Sequence, residues 1–330
     1  MDMIEHVYAT GDQLRWAASV ALPPLPSGRQ VVLAGMGGSG MAARVAALTV
    51  PDVAVTLEHG YELPGWAAAQ RPVVVAVSYS GNTEETLSVV ADAVDLGLPI
   101  VGVTTGGELA AVAAGAGFDV LGIPGGLQPR AALAFQAGAV TRILAGIAGA
   151  PDPAPGLAAT AGLVDELLGD GRGAAASLGR DLAEGLVGRI AVVYGGRGLA
   201  SVAAARWKAQ INENAKMPAF ASEVPELDHN ELEGWGARPE LGRRTVGLIL
   251  LRDPAGDPRI DARMRLTSEV LEATVTQVGE VVSQGDSTLD RFFSLAVVGD
   301  VASVALADAV GVDATPVALL EDFKRRLKEE

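Results

Sequence analysis

Short apolar runs alternate along this chain with longer segments of helical periodicity, and this alternation constrains its fold most. The runs are rich in β-branched residues, which predicts strands at 30–35, 73–77, 100–104, 120–123, 190–194, 245–251 and 274–278. The periodic segments predict helices at 41–48, 84–94, 130–147, 201–212, 261–272 and 293–310. Since parallel strands need crossover helices, we predict an α/β fold of doubly wound parallel sheets, each a three-layer α/β/α sandwich.

The chain length predicts two domains. Its 330 residues exceed the size at which single cores usually stop growing, with one large barrel as the alternative. Although 49% of the residues are hydrophobic, only 4% are aromatic. The core is therefore built mainly from Ala, Val, Leu and Ile, as expected for buried parallel strands covered by helices.

A composition break marks the predicted domain boundary, where Pro151, Pro153 and Pro155 interrupt all periodicity. We predict an N-terminal domain at 1–150, a helical connector at 151–186 and a C-terminal domain at 187–330. The second half repeats the strand and helix order of the first, which indicates an internal repeat. Only the first half keeps a hydroxyl-rich loop, so a single ligand site per chain is expected.

Composition also excludes several classes of protein. The chain has no cysteine, so disulfides and thiolate chemistry are excluded and a reducing cytoplasm is expected. Its net charge of −15 argues against nucleic acid and anionic membranes as partners. No uninterrupted apolar run approaches the length of a membrane span. No His, Asp or Glu cluster has the spacing of metal ligands, so no metal is expected.

The predicted phosphate site is a hydroxyl-rich loop. Ser78, Ser80 and Thr83 lie where a buried strand gives way to a helix, so their hydroxyls and the first free N–H groups of the helix converge. A phosphate suits such donors. The alternative is that Ser80 or Asn82 simply caps the helix, Asn82 together with Glu85.

A glycine-rich turn, Gly35-Met-Gly-Gly-Ser-Gly40, follows the first predicted strand. A nicotinamide cofactor is one alternative reading, but the spacing is not G-x-G-x-x-G and no ribose-binding acid follows. We therefore expect no cofactor. Gly38 would let the backbone approach a small ligand, and Ser39 would add a donor.

Five separated motifs resemble one family. The glycine-rich turn and Ser78-Tyr-Ser-Gly-Asn-Thr-Glu-Glu-Thr86 resemble sugar isomerase (SIS) domains. Pro129-Arg130, Asn212-Glu-Asn-Ala-Lys216 and Glu226-Leu-Asp-His-Asn230 are similar to the bifunctional phosphoglucose/phosphomannose isomerases of bacteria and archaea. The resemblance implies two SIS domains, an intimate homodimer, and isomerisation of glucose 6-phosphate and mannose 6-phosphate to fructose 6-phosphate.

The resemblance also implies roles for three residues. Glu213 is the expected base that moves a proton between C1 and C2. Arg130 is the expected cation that stabilises the enediol intermediate, although an ordinary surface arginine is the alternative. His229 is expected to open the sugar ring in the site of the other subunit, with Asp228 as a group that orients or charges its ring.

Two C-terminal residues complete the expected site. Lys324 matches a lysine that assists ring opening in the family, although a basic last turn also complements a helix dipole. Thr315 is the candidate for the threonine associated with tolerance of mannose.

Other functions remain as alternatives. One is a phosphosugar-sensing protein that keeps the fold without chemistry. The amidotransferase that makes glucosamine 6-phosphate needs an N-terminal cysteine, which this chain lacks.

Overall fold

The structure is a computed structural model, and it describes residues 2–327 and 329. Contacts divide the chain into two compact units. The N-terminal unit comprises Ala9–Glu166 and Gly285–Phe293, and the C-terminal unit comprises the residues up to Tyr8, Leu167–Gln284 and the residues from Ser294 onward. The predicted connector at 151–186 is thereby divided between the two units after Glu166.

The strands, in chain order, are β1 Gln30–Ala34, β2 Ala54–Glu58, β3 Val73–Val77, β4 Ile100–Thr104, β5 Asp119–Gly122, β6 Ile190–Gly196, β7 Ala219–Val224, β8 Val246–Arg252 and β9 Thr276–Val282. The helices are α1 Met3–Tyr8, α2 Thr10–Ser19, α3 Gly37–Thr49, α4 Ala67–Gln70, α5 Glu84–Asp95, α6 Gly107–Ala116, α7 Leu133–Ala148, α8 Ala154–Leu168, α9 Ala174–Leu186, α10 Leu199–Gln210, α11 Glu231–Ala237, α12 Pro239–Thr245, α13 Pro258–Leu271, α14 Thr288–Val310 and α15 Ala318–Leu327.

The N-terminal unit is built on a parallel sheet in the order β2-β1-β3-β4-β5. Successive side chains of a strand point to opposite faces, so each face has its own core. Val31, Leu33 and Val75 pack in a cluster with α3 and α7. Val32 and Val74 pack in a second cluster with α5. Helices thus cover both faces, and the predicted parallel α/β architecture is confirmed.

The C-terminal unit holds a second parallel sheet, in the order β7-β6-β8-β9. Val192, Tyr194 and Leu250 pack on one face of this sheet in a cluster that includes Met264 and Leu271 of α13. The order β7-β6-β8 of this sheet corresponds to the order β2-β1-β3 of the first sheet. In both, the strand that comes second in the sequence lies at the edge, followed by the first and the third. The carboxyl ends of all these strands lie at one edge of their sheet.

The sequence did not predict β2 and β7, which lie at the edges of their sheets. Their side chains are mostly exposed or partly buried, so their sequences Ala-Val-Thr-Leu-Glu and Ala-Phe-Ala-Ser-Glu-Val lack the continuous apolar run of a central strand. The predicted helix at 130–147 also differs, because Pro129–Ala132 form a 3₁₀ turn before α7 begins.

Two helical stretches, Pro129–Ala148 and Thr288–Val310, are long and apolar enough to span a membrane. In each, 78% of the apolar window is buried inside the protein. A helix that is apolar on most sides and surrounded by protein is typical of a domain core.

Hydrogen bonds of the Tyr194 hydroxyl connect β6 to α11. Its hydroxyl donates to the Glu231 carboxylate at 2.7 Å and accepts from the Trp235 indole N–H at 2.8 Å. Burial, and after it the bond to Glu231, raises the pKa of Tyr194 above its ordinary value. The folded protein therefore holds this hydroxyl protonated at pH values where the unfolded chain has ionised it.

We predict that the free energy of unfolding falls above about pH 10 and that Tyr194→Phe makes this fall shallower. Above the ordinary tyrosine pKa the unfolded state binds fewer protons than the folded state, so stability is lost as the pH rises. The Tyr194 contribution has a limiting slope of about 1.4 kcal/mol per pH unit. Denaturant unfolding of both proteins across this range measures the difference, and equal slopes would contradict the prediction.

Candidate functional site

The candidate site residues fall on both units, and each group is described within its own. The N-terminal unit carries Gly38, Ser39, Ser78, Ser80, Thr83 and Arg130. The C-terminal unit carries Glu213, His229, Thr315 and Lys324.

The hydroxyl loop connects β3 to α5 at the carboxyl edge of the first sheet. Ser78 is fully buried, and its Oγ lies 2.8 Å from Thr83 Oγ1. Ser80 is exposed, and its Oγ accepts from the Asn82 N–H at 3.2 Å. Ser78 therefore supports the loop from its buried side, where its hydroxyl is bonded to that of the half-buried Thr83, whereas Ser80 is exposed.

The hydrogen bonds at the start of α5 contradict the alternative that Ser80 or Asn82 caps this helix. The N-cap is Thr83, and no described side chain accepts a capping hydrogen bond from the first turn. The Asn82 side chain instead accepts from the Glu108 N–H of α6 at 3.1 Å. The first N–H groups of α5 are thus left for another acceptor. Because Glu84 and Glu85 offset the helix dipole, hydrogen-bond donors rather than net charge would hold an anion here.

The glycine-rich turn permits close approach of protein backbone. A Cβ on Gly38 would lie 2.9 Å from the Pro129 carbonyl oxygen, and one on Gly35 would lie 2.9 Å from the Val77 carbonyl oxygen. Both contacts are shorter than side chains tolerate, and both involve main-chain atoms. The glycines therefore bring the turn against the end of β3 and against the turn that carries Arg130.

Ser39 links the three segments. Its buried hydroxyl donates to Gln136 Oε1 at 2.7 Å and accepts from the Tyr79 N–H at 3.2 Å. The Gln136 amide in turn donates to the Pro129 carbonyl at 3.2 Å. The hydroxyl of Ser39 thus joins the glycine-rich turn to the hydroxyl loop and, through Gln136, to the Arg130 turn.

Arg130 lies in the 3₁₀ turn Pro129–Ala132 and is 96% buried, with a relative exposure of 4%. Its Nη1 donates to Gln128 Oε1 at 3.5 Å. The alternative of an ordinary surface arginine is therefore wrong. Arg130 is instead a buried residue of a turn that packs against the glycine-rich turn.

Glu213 lies on a π-helical turn, Ile211–Ala215, that continues α10. Such turns are rare and frequently occur at functional sites. The flanking asparagines hold this turn. Asn212 Oδ1 accepts from the Ala219 N–H at 2.9 Å, and Asn214 Nδ2 donates to Ser303 Oγ at 2.9 Å. Both asparagine side chains therefore bond to the protein itself and fix the turn that carries Glu213.

Lys216 brings the Thr315 segment to the Glu213 turn. Its backbone is left-handed, with φ of 56°. Its ammonium donates to the Glu213 carbonyl at 2.5 Å and to the Ala314 carbonyl at 3.3 Å. The Lys216 side chain therefore connects two segments that lie about a hundred residues apart in the sequence.

His229 ends the 3₁₀ turn Glu226–His229 and is exposed. The Asp228 carboxylate does not bond its ring. It accepts from Arg263 Nη1 at 3.0 Å and from Thr267 Oγ1 at 2.9 Å, both on α13. The prediction that Asp228 orients His229 is corrected, because both carboxylate oxygens hold the turn to the helix. Lys324 is exposed on α15.

Across residues 2–327 and 329, no three His, Asp or Glu side chains come together in an arrangement that could hold a metal ion. The residues that the sequence did not reveal are polar partners beneath the motifs, namely Gln136, which bonds to Ser39, and Ser303, which bonds to Asn214. No local pattern marks them, because each partner is distant along the chain.

The fold is shared with a solved phosphosugar enzyme. The tagatose-6-phosphate ketose/aldose isomerase of Escherichia coli aligns with a TM-score of 0.69 at 12% identity, covering 94% of each chain. Residues 176–327 match the family model described as the bacterial phospho-glucose isomerase C-terminal SIS domain. The fold and these motifs define a sugar isomerase domain protein.

Two curated relatives define the family more narrowly. The chain is 34% identical over 309 residues to a bifunctional phosphoglucose/phosphomannose isomerase of Caldicellulosiruptor bescii, covering 91% of this chain and 90% of the relative. It is 32% identical over 327 residues to one of Thermoplasma acidophilum, covering 99% and 98%. The chain belongs to the bifunctional phosphoglucose/phosphomannose isomerase family, and the resemblance inferred from its motifs is confirmed.

Proposed function

We propose that this protein is an aldose–ketose isomerase that interconverts glucose 6-phosphate and mannose 6-phosphate with fructose 6-phosphate, without metal or cofactor. The observation that carries the proposal is the Glu213 carboxylate on an anchored π-turn, in a segment that resembles a motif of the family. We propose that the enzyme lies in the cytoplasm, because the chain has no cysteine. We propose no nucleic-acid partner, because the net charge of −15 repels nucleic acid. The common strand order supports descent of the two units from one repeated domain.

The phosphate binds at the start of α5 in this proposal. The hydroxyls of Ser80 and Thr83 and the uncapped N–H groups of the helix supply the donors. Ser78 and Ser39 hold the loop in shape beneath them, and Gly38 gives the close backbone approach. Several hydrogen bonds to the phosphate hold the substrate in the position that proton transfer between C1 and C2 requires.

The reaction has two stages. His229, assisted by Lys324, moves a proton from O1 to O5 so that the sugar ring opens. Glu213 then removes the proton from C2, and the oxygen of the C1 carbonyl takes the negative charge. The proton of the C2 hydroxyl passes to this O1 oxygen, and Glu213 returns its proton to C1 as the carbonyl forms at C2. Arg130 stabilises the negative charge of the cis-enediol intermediate. Glucose and mannose 6-phosphate differ only at C2 and give the same enediol, and Thr315 accommodates both configurations.

A homodimer completes the proposal, with His229 donated to the site of the partner subunit. None of the residues Ala318–Leu327 is buried, although α15 carries large apolar side chains. Leu319 is 82% exposed and Phe323 is 62% exposed, and Leu320 and Leu327 lie on the same side of the helix. An apolar helix face of this kind is expected to be covered by protein, and a second copy of the chain is the proposed cover.

A coupled assay with each sugar tests the proposal. We expect turnover of glucose 6-phosphate and of mannose 6-phosphate to fructose 6-phosphate, unchanged by a chelator. A Glu213→Gln preparation made in parallel controls for isomerase from the expression host. Absence of turnover with both sugars contradicts the proposed function, and loss of turnover on chelation contradicts the metal-free mechanism.

A further inference from the structure

A buried polar cluster lies beneath the turn that carries Glu213. It consists of Arg206, Gln210, Asn214, Asp300 and Ser303, all in the C-terminal unit and none more than 6% exposed. The first three are spaced four residues apart along α10 and its π-turn, so they fall on one side of the helix. Asp300 and Ser303 are three apart on α14 and face them.

The cluster is connected by hydrogen bonds of ordinary length. Asp300 accepts from Arg206 Nη2 at 2.7 Å and from Gln210 Nε2 at 3.0 Å. Ser303 Oγ donates to the Asp300 carbonyl at 2.8 Å and accepts from Asn214 Nδ2 at 2.9 Å. These bonds run from the body of α10 to the π-turn by way of α14.

Stability alone does not account for this cluster. A buried ion pair is often no more stable than well-packed apolar residues of similar volume. The two helices already pack closely at Trp207, whose indole lies over Gly299 and donates to the Leu295 carbonyl at 2.9 Å. Hydrogen bonds, unlike apolar contacts, tolerate little change in distance or angle. The cluster therefore fixes the conformation and register of the π-turn relative to α14.

We propose that Ser303 and Asp300 are positioning residues of the isomerase reaction: through Asn214, Gln210 and Arg206 they hold the π-turn so that Glu213 stays aligned for proton transfer. Neither residue touches substrate. This inference rests on the proposed role of Glu213 as the base.

The test compares two buried serines of α14. Ser303→Ala removes the acceptor of Asn214. Ser294→Ala is the matched control, because Ser294 is 2% exposed and its Oγ accepts from the Gln284 N–H at 2.8 Å. We expect both variants to lose thermal stability, but only Ser303→Ala to lower kcat, by about tenfold, with KM within about twofold of the wild type.

An isotope effect separates positioning from loss of stability. With glucose 6-phosphate deuterated at C2, Ser303→Ala is expected to show a larger primary isotope effect on kcat than the wild type or Ser294→Ala, because proton transfer becomes slower. Equal kcat and equal isotope effects in Ser303→Ala and Ser294→Ala would overturn the inference.

A second variant keeps the test decisive if Ser303→Ala folds poorly. Asn214→Ala removes the donor of the same hydrogen bond and should lower kcat to a similar extent. The double variant should lose no more than either single variant, since the bond is lost once, whereas multiplied losses contradict the inference. If the wild type turns over neither sugar, the proposed function itself fails, and if Glu213→Gln keeps full kcat, the role of Glu213 as the base fails. If Glu213→Gln is inactive while Ser303→Ala and Asn214→Ala both match Ser294→Ala, only the positioning role fails.

Discussion

The Glu213→Gln variant should lose about 10³-fold in kcat while it still binds fructose 6-phosphate. Glutamine has nearly the shape of glutamate, so the anchored turn is preserved, but an amide cannot take a proton from carbon at neutral pH. The loss should appear in kcat rather than KM, because the carboxylate acts in the transition state. A coupled assay measures turnover, and thermal stabilisation by fructose 6-phosphate measures binding.

Glu184→Gln, the same chemical change at an exposed position of α9, is the control and should leave kcat unchanged. A Glu213→Gln protein that turns over at the wild-type rate would exclude Glu213 as the base. A wild-type protein that binds phosphosugars without turning them over would instead fit the sensing alternative.

Mixing two inactive variants should restore activity if His229 is donated across a dimer. His229→Ala and Glu213→Gln each damage every site of their own homodimer. In a hybrid dimer one site receives both defects, and the other receives an intact Glu213 and an intact His229. With random exchange of subunits, half of the dimers are hybrids, so about a quarter of wild-type activity should return.

The matched control is a mixture of Glu213→Gln with Arg130→Met. Both residues are proposed to serve the site of their own subunit, so no hybrid site is intact and no activity should return. Recovery in this control, or its absence with His229→Ala, would contradict the proposed exchange of His229.

The central strands were predictable because they are buried on both faces and leave continuous apolar runs. Val73–Val77 is the clearest example, since every residue in it is buried. The strands β2 and β7 were not predictable, because their side chains are mostly exposed or partly buried and their sequences have no continuous apolar run. The helix starting at Glu84 was predictable, but its cap was not, because Asn82 bonds to Glu108 of another helix instead.

The chemistry-bearing motifs could be found from the sequence, whereas the side chains that support them could not. Ser39 and Gln136 lie 97 residues apart, and Asn214 and Ser303 lie 89 apart. The π-turn of Glu213 has no local signature, since it depends on bonds that reach β7 and α14. Asp228 was misjudged for the same reason, as its partners Arg263 and Thr267 come from a distant helix.

The hydrogen bonds of the Lys216 ammonium affect how the substrate preference of this enzyme can change in evolution. Because one side chain bonds the carbonyls of Glu213 and Ala314, a change in the loop that precedes α15 is transmitted to the backbone of the proposed base. Substitutions around Thr315 that alter the choice of sugar should therefore also alter turnover. Selection for a new substrate would have to tune both properties together, and compensating changes would be expected at Lys216.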